Sequence, residues 1–218
     1  MIIQMDHIFM QYKKHTEIIH DLNISIDKGE FIFLVGSSGA GKTTVLRMLY
    51  REIIPTSGEI IVAGQNIAKL RSWQLPYYRR KLGLVFQDFK LLPNRTISQN
   101  ISLSMQVTKA KRSNIKKNVD RVLEWTALSH RRDALPDDIS GGEQQRAAIA
   151  RAIVNDPSVI LADEPTGNLD PELSMEIMRI FERFNMRGAT VLVATHNINL
   201  VRQFNKRIIR IDHGRIIE

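Results

Sequence analysis

A glycine-rich stretch, GSSGAGKTT at 36–44, is the strongest candidate for chemistry in this sequence. Its first eight residues fit the pattern GxxxxGK[ST], and it lies between a strand-like run, FIFLV, and a helix-like segment, KTTVLRMLYREI. Glycines let the backbone fold around phosphate groups, and a helix N-terminus adds unpaired N–H donors and a favourable dipole. Lys42 is expected to reach the β- and γ-phosphates of a nucleotide, and the Thr43 hydroxyl is expected to bind Mg²⁺. The predicted phosphate-binding residues are Gly36, Ser37, Ser38, Gly39, Ala40, Gly41, Lys42, Thr43 and Thr44.

Two adjacent carboxylates, Asp163 and Glu164, follow a second apolar run, VILA. Ligands of open parallel sheets bind beyond the carboxyl ends of the strands, so these residues are expected near the glycine loop. We expect Asp163 to hold Mg²⁺, directly or through water. Glu164 lies on the other side of the strand's alternation, and we expect it to orient or deprotonate the attacking water.

Two further polar residues, Gln87 and His196, also follow strand-like segments, KLGLVFQ and TVLVAT. The His196 imidazole can hydrogen-bond a γ-phosphate. The Gln87 amide can contact a metal ion or water and sense the γ-phosphate. The candidate catalytic residues are therefore Glu164, His196 and Gln87, and the candidate Mg²⁺ ligands are Thr43, Gln87 and Asp163.

A second stretch, ISGGEQQ at 139–145, resembles another anion-binding helix start. Ser140 and Glu143 form the capping-box pattern S-x-x-E, which explains those two residues structurally. It does not explain Gly141 and Gly142, which weaken a first helical turn unless a ligand approaches the backbone closely. The stretch has no lysine, so we interpret it as half of a phosphate site that a partner completes.

Asp170 precedes Pro171 in TGNLDPELS, and two interpretations stay open. Aspartate followed by proline is typical of a helix N-terminus, where the carboxylate caps the first turn. A functional role beside the carboxylates of the preceding strand has similar support.

Composition limits the possible classes of protein. The 218 residues include no cysteine, which excludes disulfides and thiolate metal sites and favours a reducing cytoplasm. The N-terminus lacks the pattern of a signal peptide, and no apolar run approaches the roughly 20 residues that span a bilayer. A net charge of +8 favours a polyanionic partner, with basic patches at 79–81, 109–121 and 202–210. The patches lack interleaved aromatic residues, which disfavours nucleic acid, and a solvated helix face is the favoured explanation of 109–121.

The order of apolar patterns predicts one α/β domain. Two alternating segments form strands at the N-terminus with a turn at KKHT, and strand and helix patterns then follow one another as in a parallel sheet. The middle of the chain has helical patterns only. We therefore predict a core and β subdomain at 1–90 and 156–218, with a helical subdomain at about 91–155.

Taken together, the motifs resemble those of the ATP-binding cassette (ABC) ATPases over the whole chain. GSSGAGKT is similar to Walker A, Gln87 to the Q-loop residue, ISGGEQQ to the signature, VILADE to Walker B, NLD to the D-loop and His196 to the switch histidine. The resemblance implies a P-loop NTPase fold of ABC type, with a RecA-like parallel sheet, an antiparallel β subdomain and a helical insert. It also implies Mg²⁺-dependent hydrolysis of ATP.

The resemblance further implies an ATP-dependent, head-to-tail homodimer in which each signature covers the ATP held by the other copy. Ser140, Gly141, Gly142 and Glu143 would act in that way, Asp170 would belong to the D-loop, and Tyr12 would lie under the adenine ring. Two departures are visible. Ile139 stands where leucine is usual, and Glu143 stands where glutamine is commonest, so its side chain is not assigned a nucleotide contact.

Between the motifs, FQDFKLLPNRT, LADEPTGNLD and ATHNINLV are similar to family members that act in cell division. This implies an integral membrane partner near Gln87 and the helical lobe, and a peripheral location on the cytoplasmic face of the bacterial inner membrane at the division site. An anionic membrane surface is a second candidate for the basic patches. The alternative within the family is the ATPase of a lipoprotein-release or macrolide-type exporter. Repair and translation ATPases interrupt or double the cassette, and this sequence does neither.

Overall fold

The computed structural model describes residues 1–12, 17–108, 110–167 and 169–217, so the turn predicted at KKHT lies outside the described residues. The strands are β1 (Ile3–Gln11), β2 (Glu17–Ile26), β3 (Phe31–Val35), β4 (Ser57–Val62), β5 (Gln65–Asn66), β6 (Leu82–Val85), β7 (Val159–Asp163), β8 (Thr190–Thr195), β9 (Arg207–Asp212) and β10 (Arg215–Ile217). The α-helices are α1 (Lys42–Leu49), α2 (Leu75–Arg79), α3 (Ile97–Val107), α4 (Arg112–Trp125), α5 (Gly141–Ile153), α6 (Pro171–Met186) and α7 (Ile198–Val201). Short 3₁₀ segments occur at Ser72–Gln74, Ser129–Arg131 and Pro136–Asp138.

The strands form two sheets, as predicted. The larger sheet has the order β10-β9-β3-β8-β7-β6, in which β9 through β6 are parallel and β10 is an antiparallel edge strand. The smaller sheet, β2-β1-β4-β5, is antiparallel throughout. Because β3, β6, β7 and β8 run in one direction, the chemistry-bearing segments that follow them emerge at one edge of the larger sheet.

Strand β3 shows why its sequence is a continuous apolar run. Phe31, Phe33 and Val35 face one apolar cluster, and Ile32 and Leu34 face the other. Side chains alternate between the two faces of a strand, so a strand covered on both faces needs apolar residues at every position. The prediction of a central strand for FIFLV is confirmed.

The helices α3, α4, α5 and α6 pack on one face of the larger sheet. Their apolar side chains form a single cluster with those of β3, β6, β7 and β8. The other face packs against α1 and the antiparallel sheet. Helices alone lie between β6 and β7, as the sequence indicates, but a division into subdomains at about 91 and 155 stays a prediction.

Two local features differ from the sequence-based expectation. Helix α1 ends at Leu49 instead of continuing to about residue 53, because Arg51 adopts a left-handed conformation with φ 59°. Its guanidinium donates to the carbonyls of Ile67 and Ala68, at 2.9 and 3.3 Å. Helix α2 was not predicted, because its sequence has no helical apolar period. Its one buried residue is Tyr78, whose hydroxyl donates to the Leu49 carbonyl.

The predicted C-terminal hairpin is confirmed. Strands β9 and β10 pair in antiparallel register around His213 and Gly214, which both have positive φ values, 42° and 73°. Such a pair is typical of a two-residue hairpin turn. The Gly214 N–H donates to the Ala40 carbonyl at 3.0 Å, so the hairpin supports the glycine loop from behind.

Candidate nucleotide-binding site

The glycine loop connects β3 to α1 and is shaped by its glycines. Gly41 precedes the helix with φ 110°, a conformation that L side chains rarely adopt. A Cβ atom at Gly36 would lie 2.2 Å from the Ile211 carbonyl oxygen, so only glycine fits there. The loop is closed by a hydrogen bond from the Ala40 N–H to the Ser37 carbonyl, at 3.2 Å.

The buried Lys42 ammonium is held inside this loop. Its Nζ donates to the carbonyls of Gly36 and Ser37, at 2.8 and 3.0 Å, and lies 3.5 Å from Oε1 of Glu164. The side chain is only 6% exposed. The cation is therefore already positioned where an incoming phosphate would compete with carbonyl oxygens and a carboxylate for it.

One cavity of about 510 Å³ contains most of the predicted ATP-binding residues and all three candidate catalytic residues. It is lined by Ile18, Ser38, Gly39, Gly41, Lys42, Thr43, Thr44, Gln87, Glu164 and His196. Gly36 and Ser37 line an adjoining cavity that also contacts His196. The size and the convergent polar groups are typical of a small-molecule site.

Asp163, at the end of β7, contacts Thr43 in the first turn of α1, and together they are the candidate oxygen ligands for Mg²⁺. The Thr43 hydroxyl donates to Oδ1 of Asp163 at 3.1 Å. Burial raises the pKa of the Asp163 carboxyl above its usual value, and the neighbouring Glu164 charge raises it further. These hard oxygen donors fit Mg²⁺, which would favour the ionised carboxylate. Gln87 lines the same cavity, but no hydrogen bond joins its side chain to Asp163 or Thr43 among the residues described.

Glu164 is turned toward His196 and Lys42 by its backbone. It follows β7 with φ 45°, an uncommon value for a residue other than glycine, and its N–H donates to the Ala194 carbonyl at 2.9 Å. Its Oε1 lies 2.9 Å from Nδ1 of His196, and its Oε2 accepts the His196 backbone N–H at 3.4 Å. Glu164 and Asp163 thus have different partners, but the cause is the left-handed backbone of Glu164 after the end of β7 and not the strand alternation that was expected.

Tyr12 lies beside this site and does not line the cavity that contains Lys42. Its ring is 41% exposed, and its hydroxyl accepts a hydrogen bond from Arg47 at 3.3 Å. The Arg47 guanidinium lies 6.0 Å from the ring centroid. This partial exposure is compatible with the predicted adenine contact.

The signature residues form a separate cluster at the start of α5. The capping box is confirmed: the Glu143 N–H donates to the Ser140 hydroxyl at 3.3 Å, and the Ser140 N–H donates to Glu143 Oε2 at 2.9 Å. Gly141 has open space around it, but a Cβ at Gly142 would lie 2.1 Å from Leu173. Packing against Leu173 therefore explains the glycine at position 142. Close approach of a ligand to the backbone remains an explanation for Gly141 alone.

The Glu143 carboxylate is engaged by groups of its own chain, so its oxygens are not directed at a nucleotide. Besides Ser140, its Oε1 accepts a hydrogen bond from Arg131 at 3.0 Å and lies 3.5 Å from Nε2 of His130. The Ser140 N–H and the Arg131 guanidinium lower the pKa of this carboxyl to about 2.

Asp170 has the structural role that its sequence context indicates. Its carboxylate accepts the N–H of Leu173 at 2.9 Å and caps α6. A role at a dimer interface remains a separate prediction.

Two positioning residues, Gln145 and Arg151, were missed by the sequence analysis. The buried Gln145 amide donates to the Pro165 carbonyl at 2.6 Å and so links α5 to the loop after Glu164. The Arg151 guanidinium donates to the carbonyls of Phe89, at 2.7 Å, and Lys90. Both carbonyls belong to the loop after Gln87. The sequence could have indicated that both side chains make buried contacts, because Gln145 and Arg151 are polar residues on the buried side of an amphipathic helix, where a polar group needs a hydrogen-bond partner.

Comparison with known proteins agrees with this geometry. Residues 19–167 match the family described as ABC transporter. The chain is 47% identical over 216 residues to the cell division ATP-binding protein FtsE of Streptococcus pneumoniae, covering 99% of this chain and 94% of that protein. It is 39% identical over 215 residues to FtsE of Escherichia coli K12, covering 99% and 97%. The solved dimeric cassette MJ0796 bound to ADP and Pi superimposes with a TM-score of 0.90 at 33% identity, covering 99% and 97%.

The chain therefore belongs to the ABC transporter family and is an ABC ATPase that binds ATP. The ABC cassette fold expected from the motifs is confirmed.

Proposed function

We propose that this chain is the ATP-hydrolysing subunit of an FtsEX-like membrane complex that acts in cell division. One observation carries the cell-division part: the similarity to proteins named FtsE extends over 99% of this chain at 39–47% identity. ATP would drive a conformational change in an integral membrane partner of the FtsX type. That movement would regulate cell-wall hydrolysis on the other side of the membrane.

The ATP site can perform hydrolysis with the residues it contains. Lys42 exchanges its contacts with Gly36 and Ser37 for the β- and γ-phosphates. Glu164 accepts a proton from the water that attacks the γ-phosphorus, while the bond to the β-phosphate oxygen breaks and ADP leaves. His196 releases Glu164 and hydrogen-bonds the γ-phosphate. Mg²⁺, held by Thr43 and Asp163 with Gln87 nearby, would supply neutralising charge at the phosphates.

Two copies packed head to tail would complete each ATP site. The cavity around Lys42 is lined by none of the signature residues among those described, whereas Ser140 and Gly141 are exposed at the start of α5. A helix N-terminus with unpaired N–H groups is suited to a γ-phosphate supplied by another copy. Asp170 and the loop before it would lie at the same interface. The adenine would stack on Tyr12.

A groove beside Gln87 is our candidate for the contact with the membrane partner. Its volume is about 460 Å³, and its lining combines apolar residues with Arg79, Arg80, Lys90 and Arg151. Phe86 and Lys90 flank Gln87 in sequence, so an occupant would lie next to the loop that senses the γ-phosphate. The positive charges favour a partner segment that carries acidic side chains among apolar ones.

The partner would recruit the protein to the cytoplasmic face of the bacterial plasma membrane at the division site. No helix within the described part of the chain is both long and apolar enough to cross a bilayer. Exposed lysines of α4, Lys116 and Lys117, could add attraction to anionic lipid. Arg121 of the same patch instead pairs with Asp156 at 2.8 Å, so part of the patch is structural.

The proposal is tested by recovering the partner. A tagged Glu164→Gln variant is isolated from detergent-solubilised native membranes, and the integral membrane proteins that accompany it are identified. An FtsX-like protein is expected. A lipoprotein-release or export permease would contradict the division role and leave the catalytic residues unchanged. Val107→Asp in the groove should lose the partner, whereas Val107→Leu should keep it.

A further inference from the structure

An acidic side chain occupies the first turn of α5, where the proposed dimer would place a γ-phosphate. Glu143 is buried, and its carboxylate accepts hydrogen bonds from the Ser140 N–H and hydroxyl and from Arg131. A carboxylate beside a triphosphate is repulsive unless a positive charge compensates for it. A positive charge close to Glu143 is therefore needed if a phosphate is to bind beside it.

Arg131 is the compensating cation that the structure provides. Its Nε donates to Oε1 of Glu143 at 3.0 Å, on the side opposite the oxygen that contacts Ser140. Arg131 is fixed by its own segment, since its N–H donates to the carbonyl of the fully buried Leu128 and its carbonyl accepts the N–H of Ala134. His130 lies on the same carboxylate oxygen at 3.5 Å and can add charge when protonated.

We propose that Arg131 is a positioning residue for the ATP site of the partner copy, acting through Glu143. It keeps the carboxylate turned into its own chain and cancels its charge, so that the Ser140 hydroxyl and the first N–H groups of α5 can donate hydrogen bonds to the γ-phosphate. The inference rests on the proposed head-to-tail dimer. It deepens that proposal by naming the residue that tunes the affinity of the signature for ATP.

The hydrogen bond from the Ser140 hydroxyl to Glu143 also depends on the charge of this carboxylate. The hydroxyl donates to Glu143 Oε2 at 3.0 Å, yet it must donate to the phosphate when the dimer closes. The ion pair with Arg131 reduces the negative charge on the Glu143 carboxylate and so weakens its hydrogen bond to the Ser140 hydroxyl. The hydroxyl can then exchange this bond for one to the phosphate. Glutamine at 143 would keep the capping box and carry no charge, so it would make Arg131 unnecessary.

The test measures ATP-driven dimerisation in a Glu164→Gln background, with light scattering as a function of ATP concentration. Arg131→Ala should raise the ATP concentration for half-maximal dimerisation about three- to tenfold, and added salt should reduce the difference. ATP binding by the monomer should not change. Glu143→Gln added to Arg131→Ala should restore dimerisation. Arg131→Lys, which keeps the charge, should have a smaller effect.

The matched control is Arg132→Ala, one residue away with the same loss of charge. Arg132 pairs with Asp120 at 3.1 Å and Asp133 at 3.9 Å, and not with Glu143. If Arg132→Ala weakens dimerisation as much as Arg131→Ala, or if Glu143→Gln fails to restore it, the inference is wrong. If the parent does not dimerise with ATP at all, the proposed dimer itself fails.

Discussion

The His196 ring and the Glu164 carboxylate are in direct contact, with 2.9 Å between Nδ1 and Oε1. The His196 backbone N–H supports the second carboxylate oxygen at 3.4 Å. Because both residues follow neighbouring parallel strands, β7 and β8, the sheet itself sets this distance. The candidate base is therefore positioned by the fold rather than by the substrate.

Replacing Glu164 with glutamine tests its role as the base. Glutamine has the same shape and can keep a hydrogen bond to His196, but it cannot accept the proton of the attacking water. We expect phosphate release to fall by about 100-fold or more, with ATP affinity retained and an ATP-bound dimer accumulating. Phosphate release and size-exclusion chromatography with ATP measure both effects. Turnover at the parent rate would refute the assignment.

Lys42→Ala tests the phosphate loop. The ammonium is buried and already directed at the loop interior, so its removal takes away the principal positive charge for the phosphates. We expect ATP binding to be lost in equilibrium dialysis. Lys69→Ala, which removes an exposed lysine paired with Glu59, is the matched control and should bind ATP normally. Equal ATP affinities in the two variants would count against the assignment.

The Ser140→Arg variant tests whether dimer closure depends on the signature while ATP binding depends on the glycine loop. A large cation at the start of α5 should block closure of the dimer while the monomer still binds ATP. Ser140→Ala, which also removes the cap of α5 but adds no bulk, controls for a stability loss of about 1 kcal/mol.

Mixing the Lys42→Ala and Ser140→Arg chains gives a sharper result. The mixed dimer contains one site with an intact glycine loop and an intact signature, so ATP turnover above that of either variant alone should return. No recovery in stable mixed dimers would contradict the shared site, provided that one intact site is sufficient for turnover.

Asp163→Asn should increase the stability of the ligand-free protein at neutral pH and abolish Mg²⁺-dependent turnover. The pKa of Asp163 is raised in the folded protein, mainly by burial, so the folded state binds the proton more tightly than the unfolded state. Stability must then fall as pH rises from the unfolded pKa toward the folded one. Denaturant unfolding of both forms across pH 3–8 measures this, and a stabilising effect that appears only at acidic pH would contradict it.

Charge reversal at Lys116 and Lys117 tests whether α4 is attracted to anionic lipid. The Lys116→Glu/Lys117→Glu variant should bind less to vesicles with 30% phosphatidylserine, and added salt should weaken binding of the parent. Lys28→Glu/Lys69→Glu has the same charge change elsewhere and is the control. Equal vesicle binding by both double variants would exclude a specific role for α4.

The sequence was sufficient to predict the parallel core and to place Lys42, Asp163, Glu164 and His196 at one edge of it, because each lies next to a strand that the sequence marks as a continuous apolar run. It could not reveal that Gly142 packs on Leu173, since the two belong to different helices. The backbone partners of Lys42 were equally hidden, because they depend on the glycine loop, in which Gly39 and Gly41 have positive φ values. The contacts of Arg151 depend in the same way on the positive φ values of Phe89 and Lys90. The contacts of loop residues depend on how distant segments pack together, and local sequence patterns do not contain that information.

Helix α5 begins at the signature and, near its end, Arg151 holds the loop after Gln87. Eleven residues separate Ser140 from Arg151, so a rigid rod of about 16 Å joins the two points. In a head-to-tail pair, the first point belongs to one ATP molecule and the second lies beside the other. In the proposed dimer, we therefore expect α5 to connect the two bound nucleotides, so that ATP binding at one site would affect the other. Cooperative turnover is the kinetic signature of such a linkage.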